Sequence, residues 1–76
     1  MNLRPLGSNQ NELTLNDGTV ILFSYKTPVA AQLAQGGFIR TSKRWSVTTS
    51  KHINKWLEGA RAKEVDQSEL DALVRS

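Results

Sequence analysis

Residues 12–25, ELTLNDGTVILFSY, decide the fold. Asp17-Gly18 separates two apolar, β-branched runs, and Asp-Gly tolerates the positive φ angles of a tight hairpin turn. A two-residue type I′ loop there sets Leu15 opposite Val20 and Leu13 opposite Leu22. Leu13, Leu15, Val20 and Leu22 then share one face, and Ile21, Phe23 and Tyr25 lie on the other. A strand that is apolar on both faces is usually covered on both. Residues 20–25 are therefore expected inside the sheet.

Outward from this hairpin the signals change. Thr27-Pro28 interrupts the pattern, because proline donates no ladder hydrogen bond and belongs at a turn or at the first residue of an edge strand. VAAQLAQ, residues 29–35, suits either a helical turn or a strand. So short a segment between Pro28 and Gly36-Gly37 makes a poor helix. A strand is favoured, with Ala34 opposite Ile39 in a second hairpin. Upstream, Pro5, Gly7, Ser8, Asn9 and Asn11 crowd together, and Leu3 and Leu6 show no period. Residues 1–11 are expected to be a flexible lead-in.

The second half has a helical period. Ser46, Thr48, Thr49 and Ser50 are all candidate N-caps. Ile53, Trp56, Leu57 and Ala60 fall on one helical face, with Lys51, Asn54, Lys55 and Glu58 opposite. Gly59 weakens or closes this helix. A charged connection, ARAKEV, leads to Asp66 and Glu69, spaced as in a capping box, and to a short stripe of Leu70, Leu73 and Val74. The expected fold is α+β. A small antiparallel sheet of three to four strands, hairpin first, is followed by two short C-terminal helices packed on one face. The expected organisation is the lead-in over 1–11 and one small domain over 12–76.

Composition bounds the function. A 76-residue domain buries only about 60% of the surface its unfolded chain exposes. The chain has no cysteine, which excludes disulfides and thiolate metal sites. No apolar run approaches the roughly 20 residues of a membrane span, and the first residues lack the apolar core of a secretory signal. The expectation is a soluble cytoplasmic protein, complete as given, with no membrane partner. Ten Lys and Arg against seven Asp and Glu give a net charge of +3. Distribution says more than the total: from Lys26 to Lys55 there are basic side chains and no acid.

Catalytic readings find little support in the residues. His52 is the only histidine, and a metal site would need further ligands beside it. Ser46 or Ser50 with His52 and Glu58 lack the geometry of a nucleophile, base and acid. Gly36-Gly37 lacks the rest of any phosphate-loop motif. No enzyme activity, metal or cofactor is expected. The candidate binding residues are Arg40, Lys43, Arg44, Trp45, Ser46, Thr48, Thr49, Lys51, His52 and Lys55. Cations, hydroxyls and helix amides together bind phosphates well, and an exposed Trp among cations suits base stacking or a protein contact. The plainer alternatives are a solvated basic face with capping hydroxyls, a His52 bonded to a nearby hydroxyl, and a Trp45 wedged into the sheet–helix junction. Trp56, on the apolar stripe, is expected in the core.

Two segments carry a resemblance: FSYKTPVA at 23–30 and KRWSVTTSKHINKWL at 43–57. Their order, S-Y-x-T-P-V-A then W-S-x-T-T-x-x-H-I-N, resembles a group of small uncharacterised proteins encoded by phages and prophages, over roughly residues 12–57. The resemblance implies a mobile-element origin and a bacterial cytoplasm, and it transfers no catalytic residue. It points to Ser24, Tyr25, Thr27, Pro28, Trp45, Ser46, Thr48, Thr49, His52 and Asn54, as a binding site or as a buried hydrogen-bond knot. The expected function is a non-enzymatic accessory binding module for a host or phage macromolecule, a protein ahead of nucleic acid, acting as monomer or homodimer. The alternatives are weak nucleic-acid binding through the basic patch and a structural role through homo-oligomerisation.

Overall fold

A computed structural model describes residues 2–7 and 9–75. Six strands and two helices follow in the order β1 (Asn2–Gly7), β2 (Gln10–Thr14), β3 (Val20–Ser24), β4 (Thr27–Gln32), β5 (Phe38–Thr41), α1 (Val47–Leu57), β6 (Ala62–Val65) and α2 (Gln67–Arg75). The strands form one sheet whose spatial order equals their sequence order. β1 to β5 pair antiparallel, and β5 pairs parallel with β6. α1 is the crossover that parallel pairing requires. The fold class is α+β as expected, but the sheet is larger and mixed rather than three to four antiparallel strands.

The two extra strands come from segments with weak signals. Asn2–Gly7 pairs with β2, so of the expected lead-in over 1–11 residues 2–7 form an edge strand and residues 10–11 start the next one, while Met1 and Ser8 lie outside the described residues. Pro5 and Arg4 belong to that edge, where proline and charge discourage pairing with other chains. The segment expected as a charged connection contains β6. Its Lys63 and Glu64 are likewise edge residues.

Both flanking hairpins use the same loop. Leu15 N–H donates to Thr19 O at 2.7 Å and Gly18 N–H to Leu15 O at 3.1 Å. Leu33 N–H donates to Gly37 O at 3.0 Å and Gly36 N–H to Leu33 O at 2.9 Å. Each is a three-residue loop whose last residue is a glycine at positive φ, +98° at Gly18 and +102° at Gly36. The expected two-residue loop at Asp17-Gly18 is therefore corrected by one residue. Leu13 faces Ile21 and Thr14 faces Val20. That shift moves Leu13 and Leu15 onto the face of Ile21 and Phe23, as a one-residue slip must. Likewise Ile39 faces Ala31, not Ala34. Asp17 helps hold the first loop. Thr19 N–H donates to its Oδ1 at 2.9 Å, which lowers the carboxyl below its ordinary pKa.

The true two-residue turn is Tyr25-Lys26, with φ of 52° and 69°. Positive φ at both central residues is type I′ geometry, normally the province of Asn and Gly. Just beyond it, Leu22 pairs with Ala30 and Phe23 with Pro28, so Val29 is an extra, bulged residue. The bulge explains how proline enters an inner strand. Val29 and Ala30 are both fully buried beside Leu22.

The helices cover opposite faces, which corrects the expectation of one. Leu22, Val29 and Ala30 pack against Ile53 and Leu57 of α1, with Phe38, Trp56 and Ala62 at the margin. Ile21 and Ala31 pack against Leu70 of α2, flanked by Leu13, Leu15, Phe23, Ile39, Val65 and Leu73. The cause is β3 itself, which is apolar at successive positions and so needs a cover on each side. Each fully buried Leu, Ile or Val contributes about 1.5–3 kcal/mol, so the molecule has two small cores rather than one. Trp56 is half-buried. Its ring meets Phe38 edge-on at 5.9 Å, and its Nε1 donates to Glu12 at 2.8 Å.

Candidate functional site

One end of the sheet gathers most of the candidate residues. β5 and β6 finish there, both helices begin there, and the Tyr25-Lys26 turn lies beside them. The chain leaves β5 for one face and β6 for the other. In open sheets, the crevice outside the carboxyl ends of two such strands is a recurrent ligand site.

Ser46 builds the first part of this corner. It is the N-cap of α1, with its Oγ accepting from Thr49 N–H at 3.1 Å. Its hydroxyl lies 3.2 Å from Thr49 Oγ1, which lies 3.1 Å from Ser24 Oγ, which lies 2.8 Å from Nδ1 of His52. Every hydroxyl is satisfied when Ser46 donates to Thr49, Thr49 to Ser24, and Ser24 to His52. The imidazole in turn stacks, tilted by 32°, against Tyr25 at 5.9 Å. This chain ties the strained turn to the first turns of α1. Ser24 and His52 have the spacing of a nucleophile and its base, but Ser24 is only 2% exposed.

Trp45 organises the second part. It is 42% exposed. Lys43 Nζ sits 4.1 Å from its ring centroid, and its Nε1 donates to Gln67 Oε1 at 3.2 Å. Gln67 also donates to the carbonyl of Pro28 at 2.6 Å and to Asp71 at 3.1 Å. A cleft of about 410 Å³ opens on one side of Trp45, between the ends of β5 and β6 and the first turns of α1. Arg40, Lys43 and Arg44 line it, with Thr41, Ser42, Thr49, Ser50 and Asn54 supplying polar atoms and Glu64 the one acid. Arg40 is half-buried. Its Nη1 reaches Asn54 Oδ1 at a long 3.4 Å, and its Nε is buried with no hydrogen-bond partner. A buried donor without a partner is uncommon and costs stability.

The candidate residues thus separate into three groups. Arg40, Lys43, Arg44 and Trp45 share the cleft with Thr49. Ser46, Thr49 and His52 are spent on internal hydrogen bonds. Thr48, Lys51 and Lys55 are exposed and do not line the cleft. Their spacing places them on the side of α1 away from Ile53 and Leu57. The five-cation cluster expected from the sequence is therefore three cations in a cleft and two on a helix surface. Sequence reasoning missed Gln67, the hub between Trp45 and Pro28, and Glu64, which β6 carries opposite Arg40 in register. Only the strand identity of residues 62–65 would have exposed Glu64. Among the described residues, no three His, Asp or Glu side chains gather where a metal ion would need them, and no helix is long and apolar enough to cross a membrane.

The profile of a family of unknown function, DUF8033, matches residues 1–72. The chain belongs to that family. The match spans every element from β1 into α2, so the corner just described lies wholly within it. No curated protein and no solved structure matches the chain.

Proposed function

We propose that this protein is a non-enzymatic binding module that engages a macromolecule through the corner where β5 and β6 end and α1 begins. The observation that carries this reading is Trp45. A large indole stays 42% exposed beside a cleft lined by three cations and a single acid, Glu64. Natural surfaces spend an exposed Trp and unpaired Arg on contacts more than on stability. The phage or mobile-element origin and the bacterial cytoplasm belong to the same proposal and rest on the motif resemblance. Catalysis is disfavoured because the hydroxyl of Ser24, the partner of His52, is buried and already engaged.

A photo-crosslinking amino acid at position 44 tests this reading in bacterial cells expressing the protein. The same residue at Glu69, an exposed position on α2, is the control. Discrete adducts from position 44, whether protease- or nuclease-sensitive, are expected, with none of the same species from position 69. Equal labelling from both positions, or none from 44, overturns the assignment of this face.

A further inference from the structure

Trp45 also walls a second cleft, of about 420 Å³, on the side of the β3–β4 turn and α2. Phe23, Pro28 and Val74 give this cleft an apolar lining, with Lys26, Gln67 and Asp71 at its polar positions. Two clefts of contrasting chemistry therefore share one indole. The first is cationic and hydroxyl-lined, and its apolar lining is Trp45 and Ile53. The second is mixed: Phe23, Pro28, Trp45 and Val74 supply apolar surface, and Lys26, Thr27, Gln67 and Asp71 supply polar groups. A protein hot spot needs a desolvated apolar pocket for its anchor, and the cationic cleft does not supply one. A phosphodiester needs the opposite: Arg and Lys charge, hydroxyl and amide groups, and a free guanidinium N–H. Arg40 lines the cleft, and its Nε is a buried donor without a partner.

We infer that the macromolecule is a single-stranded nucleic acid crossing Trp45. A phosphate occupies the Arg40–Lys43–Arg44 cleft, and the adjacent base lies against Trp45 in the cleft of Phe23, Pro28 and Val74. This rests on the binding reading above and names its ligand. A duplex keeps its bases stacked inside and cannot place one against the indole, whereas single strands stack their bases on aromatic side chains as a rule. Glu64 lowers the net charge of the phosphate cleft, so affinity is modest.

Fluorescence anisotropy of end-labelled 12-nucleotide single strands, DNA and RNA, against the matched duplex and against ATP as competitor provides the test. Saturable binding of a single strand at low salt is expected. The one phosphate held in the cleft accounts for a slope of log K against log salt of about −0.7, and each further backbone phosphate neutralised adds as much. Trp45→Ala should weaken binding by about 5- to 150-fold, the range of one lost base stack. Arg44→Glu should weaken it at low salt and flatten the slope. Circular dichroism checks that each variant is folded, and the salt slope of the unmodified protein stands even if a variant is not. ATP should displace the strand only at concentrations far above the oligonucleotide. Duplex binding as tight as single-strand binding, ready displacement by ATP, or insensitivity to Trp45→Ala overturns the inference. So does the absence of any oligonucleotide binding, and nuclease-resistant protein adducts at position 44 would then leave the binding module standing without its nucleic acid.

Discussion

Among the described residues, Tyr25 and Lys26 are the two adjacent non-glycine residues at positive φ, an unfavourable backbone. An L-residue there costs roughly 1–2 kcal/mol. Strain of this kind persists only where neighbours over-determine the geometry. Here the neighbours are the Ser24–Thr49–His52 hydrogen bonds and the bond from Tyr25 N–H to Asn9 O. Lys26→Gly relieves one strained position at the cost of a more flexible unfolded chain. The net gain should be about 0.5–1 kcal/mol, or about 2–8 °C in melting temperature for a domain of this size. A thermal melt in which Lys26→Gly is less stable than the parent would show that the turn is not strained as described. The turn was illegible in the sequence for a plain reason. Asp17-Gly18 advertises type I′ chemistry and does not use it, while Tyr25-Lys26 uses it without advertising.

At the scale of elements, α1 is fastened to the sheet twice. Ile53 and Leu57 bury apolar surface on Leu22 and Ala30, and Ser24 bonds both Thr49 and His52. Ser24→Ala leaves a buried hydroxyl and an imidazole nitrogen without their partner. Its cost should be about 1–3 kcal/mol, the range for a buried polar group left unsatisfied. Denaturant unfolding checks this, and a change below about 0.5 kcal/mol would mean the chain of hydroxyls is incidental. Such a small effect is the usual result of surface substitutions. Elements with a strong period were legible: the central strand, which ends at Ser24 rather than Tyr25, the strand around Pro28 and the two helix starts. β1 and β6 were not, because edge strands carry the prolines and charges that blunt a strand signal. The position of Arg40, Lys43, Arg44 and Trp45 on one cleft was half legible. Their proximity follows from sequence, but the departure of Lys51 and Lys55 depends on how α1 is rotated against the sheet.

The whole molecule is a sheet with a separate cover on each face, and neither core is large. Among the residues of α2 whose burial is described, Leu70 is the only fully buried one. Leu70→Asp should therefore strip the cover from Ile21 and Ala31 without touching α1. A charge buried without a partner is expected to cost more than a domain of this size can spare. Loss of the cooperative melt together with binding of an apolar dye is the expected outcome. A cooperative melt within a few degrees of the parent would mean that α2 is dispensable. The opposite placement of the helices was the principal failure of sequence reasoning at this scale. Two consecutive apolar stripes look like one layer until β6 is recognised between them.

Because the strands lie in space in the order in which they are made, the fold can be assembled as it leaves the ribosome. Each new strand pairs with the one just before it, and no earlier segment waits for a later one until β6. The exception is the face of Ile21 and Ala31. It stays bare after α1 is complete, until the residues from Glu58 to Arg75 have been added. At about 5–20 residues per second that interval lasts about 1–4 s. For that time the nascent chain carries one finished core and one open apolar face, which is the kind of surface that holding chaperones recognise.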